Sequence, residues 1–367
     1  MSMQDPRPVL FVTNLVAPDR VGAFAALHAR TRVELALFGG RSHHATGAVA
    51  DPGVPHRHVT QTEVRALAAS GDYRAVVCGT AGRTALPAAF SGARTAGIPF
   101  VLWSALWGQL QSPAHLAAWP LMRLVYRQAA HVVTYGEHVS AFARSQGARR
   151  TTVAPQAVDN AFWAADGPFP PPQPIVSAVE RPFVAMFAGR PTREKGVQVL
   201  LDAWRASRLG SAPTALVLAG VTPDFISVDA GGAVHAVGHL DPESLRNFLH
   251  HSDVLVIPSV PTRSFREPWG LIANEAMNQR LPIIASDAVG AAAGGLVRDG
   301  RNGLVVPAGD VAALSGALTR LQQDPDLRTT LGAQAARDVA PFTHAAWADA
   351  FAAALDDAGS PTPMKEC

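Results

Sequence analysis

The sequence predicts an α/β protein built from two parallel-sheet halves, each wrapped by helices, and three observations predict it. The first half alternates short, apolar, β-rich runs with Ala-rich amphipathic stretches. Such alternation lays strands side by side in parallel, joined by crossover helices. The second half restarts the same alternation. Between them stands GPFPPPQP (167–174), where Pro and Gly dominate and neither helix nor strand continues.

In the first half the strand-like runs are VLFVTN (9–14), VELALFGG (33–40), YRAVVCG (73–79), PFVLWSA (99–105) and AHVVTYGE (130–137). GAFAALHART (22–31) is typical of the amphipathic stretches between them. In the second half RPFVAMFAGR (181–190), APTALVLAG (212–220), AVHAVGHL (233–240), VLVIPS (254–259), LPIIASDA (281–288) and GLVVPAGD (303–310) read as strands. VQVLLDAWRA (197–206) and PESLRNFLHHS (242–252) read as helices, and the chain is helical from 310 onward, ending in HAAWADAFAAALDDA (344–358). The expected organisation is an N-terminal Rossmann-like domain at 1–166 and a linker at 167–180. A second domain follows at 181–340, then a closing helix at 341–358 packed back toward the first domain, and a frayed tail at 359–367. Two halves across a hinge predict a central cleft, with ligands outside the carboxyl ends of the strands.

Bulk properties exclude several classes. A chain of 367 residues, 48% hydrophobic and 16% charged, can bury two substantial cores. No run reaches the length of a membrane-spanning helix, and MSMQDPRPVLFVTN lacks a leader's basic and apolar regions. The expectation is a cytoplasmic protein. Two cysteines, Cys78 and Cys367, make neither a disulfide framework nor a zinc site. A net charge of +2 does not call for nucleic acid. All but two of the 31 basic residues are arginine, a bias typical of a GC-rich bacterial genome, and one of the two lysines, Lys195, falls inside GRPTREKG (189–196).

That motif closes an apolar run with Gly189, turns, and starts a helix near Gly196. Strand-turn-helix junctions offer backbone N–H groups to anions, and Arg190 and Lys195 add a forked donor and a mobile ammonium. It is not a Walker loop, because the lysine precedes its glycine and Val197 stands where Ser or Thr would hold magnesium. A solvated basic turn is the competing reading. In FREPWGLIANEAMN (265–278), Glu267 and Glu275 lie eight positions apart, about 80° round a continuous helix at ~3.6 residues per turn. Pro268 disfavours helix at the residue before it, so Glu267 is expected in the loop and Glu275 in the helix. They would then flank its first amides as two acceptors for hydroxyls. A surface turn whose acids complement the helix dipole is the competing reading here.

Taken in order, the basic turn, the glutamate pair and SDAVGAAAGGLVRDGRNGLVVPAGD (286–310) resemble the family 4 glycosyltransferases of the GT-B fold, in which two Rossmann-like domains face a central cleft. The resemblance is strong over 181–320 and looser over 9–160, where residues 133–163 look like the segment that closes the first domain. It implies a retaining, metal-independent hexosyltransferase moving a sugar from a nucleotide-diphosphate sugar, uridine being the family's commonest base, to a hydroxyl acceptor. It implies no cofactor, the nucleotide-sugar being a co-substrate. Arg190 and Lys195 would bind the diphosphate, Glu275 the ribose hydroxyls, and Glu267 the hydroxyls of the transferred sugar. Gly189 would open the turn, and backbone amides of Trp269, Gly270, Leu271 and Ile272 would meet sugar and phosphates. Gly22 would close on the β-phosphate, and the base would rest near Gly238 and His239. Closure across the hinge would exclude water.

Three features depart from the family pattern. The first loop reads APDRVG (17–22) rather than starting with two glycines. FVLWSALWG (100–108) offers Trp103 and Ser104 where a histidine is usual, and Arg280 stands at a helix-ending glycine position, which predicts a different cap. Asp324-Pro325-Asp326 mimics a metal-binding D-x-D, but Asp as N-cap with Pro at the first helical position accounts for it. His43-His44, His56/His58 and His250-His251 lack partners at ligand spacing and read as surface residues. Nucleophile-elbow and dinucleotide fingerprints are absent. A sugar-nucleotide epimerase on the same scaffold and a non-catalytic nucleotide-sugar-binding subunit remain as rivals; a glycosidase has no use for a basic turn. Residues 103–128, with Trp103, Trp107, Trp119, Tyr126, Arg123 and Arg127, suit an acceptor pocket, a peripheral contact at the inner membrane face, or an ordinary packed helix.

Overall fold

A computed structural model describes residues 5–39, 51–82, 84–167, 170–173, 175, 182–207, 209, 213–225 and 234–360. His43-His44, Cys367 and parts of GPFPPPQP lie outside the described residues. The chain forms two compact units: residues 1–159 with 343–367, and residues 160–342.

In the first unit β1 (Val9–Thr13), β2 (Val33–Leu37), β3 (His56–His58), β4 (Ala75–Gly79), β5 (Phe100–Ser104), β6 (His131–Thr134) and β7 (Thr151–Val153) make a wholly parallel sheet, ordered β3-β2-β1-β4-β5-β6-β7. The helices are α1 (Val21–Arg30), α2 (Val64–Ala68), α3 (Ala85–Ala96), α4 (Pro113–Gln128) and α5 (Glu137–Ser145). The sheet buries both faces, as a parallel sheet must. One face holds Leu10, Val12, Val76 and Leu102 with Tyr126 of α4. The other holds Phe11, Leu35 and Val77 with the final helix, α13 (His344–Gly359, numbered after the helices given below). Trp347 and Phe351 of α13 pack on Phe24 and Phe11, with ring centroids 5.5 and 5.6 Å apart. Trp103 joins this aromatic cluster, 5.6 Å from Phe11 and 5.9 Å from Trp347.

The second unit begins with α6 (Asn160–Ala164). Its sheet contains β8 (Phe183–Ala188), β9 (Thr214–Ala219), β10 (Val234–Gly238), β11 (Val254–Ile257), β12 (Ile283–Ser286) and β13 (Gly303–Val306), again parallel throughout, in the order β10-β9-β8-β11-β12-β13. The helices are α7 (Val197–Ala206), α8 (Pro242–His250), α9 (Ile272–Asn278), α10 (Gly290–Ala293), α11 (Val311–Gln323) and α12 (Pro325–Val339). Leu200, Leu201 and Trp204 of α7 and Leu314, Leu318 and Leu321 of α11 cover one face. These are the i, i+3, i+4 and i+7 positions of apolar helical stripes. Three aspartates cap helices: Asp241 accepts from the N–H of Ser244, Asp310 from Ala313 and Asp324 from Leu327. Asp324 is thus occupied as the N-cap of α12, with Pro325 at the first helical position.

Arg280 does not signal a different cap. It adopts φ 59° itself, the one non-glycine residue with positive φ among the described residues. The N–H of Leu281 donates to the carbonyl of Ala276 and that of Arg280 to Met277, both at 3.1 Å. This is the Schellman pattern that normally recruits glycine. The carbonyl of Arg280 would lie 2.1 Å from a Cβ placed on Gly332 of α12, so close packing at that turn fixes the backbone.

Candidate functional site

The second sheet reverses its order between β8 and β11. From β8 the chain moves outward to β9 and β10, then crosses to β11 on the other side. Loops leaving the carboxyl ends of two such strands diverge, which is where open α/β sheets leave room for ligands. Both motifs singled out in the sequence leave from these two ends.

After β8, Gly189 is held by its N–H donating to the carbonyl of Ala219, 3.0 Å away. Exposed Arg190 follows, then a 3-10 turn over Arg193–Lys195 and Gly196, which leads into α7. Gly196 has φ 70°, and a Cβ there would lie 1.9 Å from the carbonyl oxygen of Pro258. Only glycine satisfies both conditions. The basic turn is thereby pressed against the loop after β11, and the N–H of Val260 donates to the carbonyl of Glu194 at 2.9 Å.

In the loop after β11, Glu267 is extended, bridged to Val289, and only 6% exposed. Lys195 Nζ donates to its Oε2 at 2.5 Å, and Ser259 Oγ donates to the same oxygen at 3.2 Å. A buried carboxylate is costly unless it is paired and hydrogen-bonded, and here it is both. Of the three ammonium N–H donors Glu267 takes one. The Lys195 ammonium also lies 5.7 Å from the Phe265 ring centroid.

Pro268, Trp269 and Gly270 then turn the chain into α9. Gly270 has φ 89°, and Trp269 is buried with Nε1 donating to Asn274 Oδ1 at 2.8 Å. Leu271 occupies the N-cap position and Ile272 starts the helix. Glu275 is half-buried in its first turn, so Glu267 lies in the loop and Glu275 in the helix. The segment after β12 braces this turn. Gly290 donates to the carbonyl of Glu267 at 3.2 Å and Ala291 to that of Trp269 at 2.8 Å. A Cβ on Gly290 would lie 1.9 Å from the carbonyl oxygen of Pro268.

Gly238 and exposed His239 lie at the carboxyl end of edge strand β10. Gly238, at φ 67°, accepts from Gly220 at 2.6 Å and donates to Val221 at 2.9 Å. Gly22 belongs to the first unit, in the first turn of α1. A Cβ on it would meet the ring of His344 at 2.4 Å, so a glycine there admits α13. Trp103 and Ser104, at the family's histidine position, are engaged in packing and in a hydrogen bond between Ser104 Oγ and Tyr126 Oη at 2.7 Å. His56 and His58 are exposed on β3. Among the described residues no cluster of His, Cys, Asp and Glu suits a metal ion.

Sequence reasoning missed Ser259 and Gly290 as supports of Glu267, and it assigned Lys195 and Glu267 to separate parts of a ligand rather than to each other. Neither support carries a sequence signal beyond being a small residue close to a strand end.

The two parallel-sheet α/β units have the GT-B fold. Residues 182–324 match the family described as Glycosyl transferases group 1. Among curated relatives, glycogen synthase of Mycobacterium tuberculosis is 31% identical over 186 residues, 49% of this chain and 41% of the relative. D-inositol 3-phosphate glycosyltransferase of Corynebacterium diphtheriae is 31% identical over 191 residues, covering 48% and 42%. The chain thus spans about two fifths of the length of the curated relatives it matches. Among solved structures, Anabaena HepE in complex with UDP and glucose superposes with a TM-score of 0.74 at 19% identity, covering 95% of this chain and 99% of that one. Sucrose-phosphate synthase from Thermosynechococcus elongatus gives 0.71 at 20%, covering 93% and 96%. At such identities the superpositions establish the fold.

Proposed function

We propose that the protein is a retaining, metal-independent glycosyltransferase that moves a sugar from a nucleotide-diphosphate sugar, with UDP as the carrier, to a hydroxyl acceptor. The observation that carries this reading is the contact between the basic turn and the buried carboxylate at one switch point: Lys195 Nζ 2.5 Å from Glu267 Oε2. The match of residues 182–324 to glycosyl transferases group 1 supports it, as do the named activities of the curated relatives and the UDP and glucose held by HepE.

Breaking the anomeric bond leaves negative charge on the departing diphosphate. Arg190 and the two N–H donors of Lys195 not given to Glu267 stabilise that charge where it develops. Groups placed in this way contribute ~10²–10³ in rate. They supply the positive charge for which other transferases recruit a metal ion. Glu267, held in one position by Lys195 and Ser259, accepts from hydroxyls of the transferred sugar, and Glu275 from those of the ribose. The resemblance to family 4 supports retention of configuration.

The test is a thermal-shift screen of sugar nucleotides followed by turnover assays with hydroxyl acceptors. A ligand at ~100 times its dissociation constant adds ~2.7 kcal/mol of stability, and the largest shift is expected from a UDP-sugar. Failure of every nucleotide-diphosphate sugar to raise Tm would remove the proposal. Conversion of the donor to an isomer with no acceptor present would replace it with an epimerase.

A further inference from the structure

The first unit carries an apolar, basic face that the reading above does not use. In α4 the buried side holds Val125 and Tyr126. Leu116, Leu121 and Leu124 are 44%, 39% and 40% exposed, three of the four exposed large hydrophobic residues among those described. At ~100° per residue these leucines fall on one outward arc together with Ala117 and Pro120, and Arg123 and Arg127 stand together at one edge of it. Ala117, Pro120, Arg123 and Arg127 are all exposed. The arc continues into a groove against α3, lined by Leu121, Pro87, Phe90 and Arg94.

Along α3 and α4 themselves the charge has one sign. From Tyr73 to Gly136 the sequence holds no Asp or Glu, although a stretch of that length would carry several at the chain-wide frequency of 29 in 367. Arginines stand in it at 74, 83, 94, 123 and 127. Helices α3 and α4 both fall wholly inside this stretch. Among the described residues no helix is long and apolar enough to cross a membrane. An apolar stripe bordered by arginines and free of acids is the pattern of a helix lying in a membrane interface. The leucines enter the acyl boundary, and the arginine stems lie along the apolar surface with their heads among anionic headgroups. A protein partner would have to supply an apolar patch ringed with acids. A bilayer of anionic lipid supplies both properties without further requirement.

We propose that the outer face of α4, with its groove against α3, docks the protein on an anionic lipid surface. The contact is peripheral and reversible, and it weakens as salt screens the arginines.

The experiment is flotation of the full-length protein with vesicles of phosphatidylcholine alone and of phosphatidylcholine mixed with phosphatidylglycerol. Binding to the anionic vesicles is expected to exceed binding to neutral ones about tenfold or more, and to fall at high salt. Leu121→Ser/Leu124→Ser and Arg123→Glu/Arg127→Glu should each lose this excess while keeping the Tm of the parent. If the leucine pair does not fold, the arginine pair alone decides. No binding to either vesicle, or equal binding to both, would overturn the proposal. So would a change of oligomeric mass in the leucine variant without any effect on vesicles, since a second copy would then cover the face. The readout needs no turnover, so it stands or falls separately from the transferase reading.

Discussion

Lys195 and Glu267, 72 positions apart in the sequence, form a single unit: the ammonium sits 2.5 Å from a carboxylate whose side chain is 7% exposed. Read from sequence alone, Lys195→Ala should remove activity and leave the fold intact. The pairing changes that expectation, because removing the lysine strands a buried charge. Lys195→Ala is expected to cost about 3 kcal/mol of stability, read as a lower urea midpoint. The double variant Lys195→Ala/Glu267→Gln should regain most of the loss while remaining inactive. Additive costs in the double variant would show that the two residues act separately.

Gly196 supports a sharper test. Its φ of 70° and the 1.9 Å approach of the Pro258 carbonyl leave no room for a methyl group. Gly196→Ala should push the basic turn away from the loop after β11 and separate Lys195 from Glu267. The expected outcome is a loss of more than ~2 kcal/mol and a UDP-dependent thermal shift that disappears. Wild-type stability with wild-type UDP binding would contradict the geometry described for this turn.

Much of the fold was legible because parallel strands buried on both faces read as unbroken apolar runs. VLFVTN, VLVIPS and LPIIASDA contain β1, β11 and β12, and VQVLLDAWRA coincides with α7. The strands β3 and β7 were not legible. His56–His58 is an exposed edge strand with no apolar residue, and Thr151–Val153 is short and only half-buried. Pairing alone defines both, and pairing is not visible in local composition. At the candidate site the residue types were legible and their partnerships were not. Lys195 and Glu267 each carry a motif, whereas their contact depends on which strands are neighbours, a property of topology rather than of either segment. Arg280 shows the opposite limit: the glycine-type turn was recognised, but the conformation was decided by packing against Gly332.

The first unit should respond to acid through His131. This buried histidine on β6 shares Nδ1 with Asp357 Oδ2 of α13 at 2.9 Å and Nε2 with Thr152 Oγ1 of β7 at 2.8 Å. Burial holds its pKa below the ordinary 6.5, with Arg150 acting in the same direction and Asp357 opposing. The unfolded chain therefore takes up the proton first. The stability this residue contributes is complete above 6.5 and declines as pH falls from there toward the depressed folded value. Tm measured across this range should fall more steeply for the parent than for His131→Gln. Parallel slopes would place the acid sensitivity elsewhere.

Arg280 offers a stabilising substitution that tests the fold without touching the candidate site. A side chain at φ 59° carries a left-handed penalty of roughly 1–2 kcal/mol, which glycine does not. Glycine loses more freedom on folding, offsetting roughly 0.5–1 kcal/mol of that gain. The carbonyl geometry that Gly332 demands is kept in either case, because it belongs to the backbone. Arg280 is exposed and follows α9, whereas Glu275 and the N-cap Leu271 lie toward the start of that helix. Arg280→Gly is therefore expected to raise stability by about 0.5–1 kcal/mol and to leave nucleotide affinity unchanged, measured by urea unfolding and by titration with UDP. A loss of stability would mean that the arginine side chain holds the turn through contacts worth more than the backbone strain. Unchanged stability with weaker UDP binding would mean that this turn and the donor loop are coupled through α9.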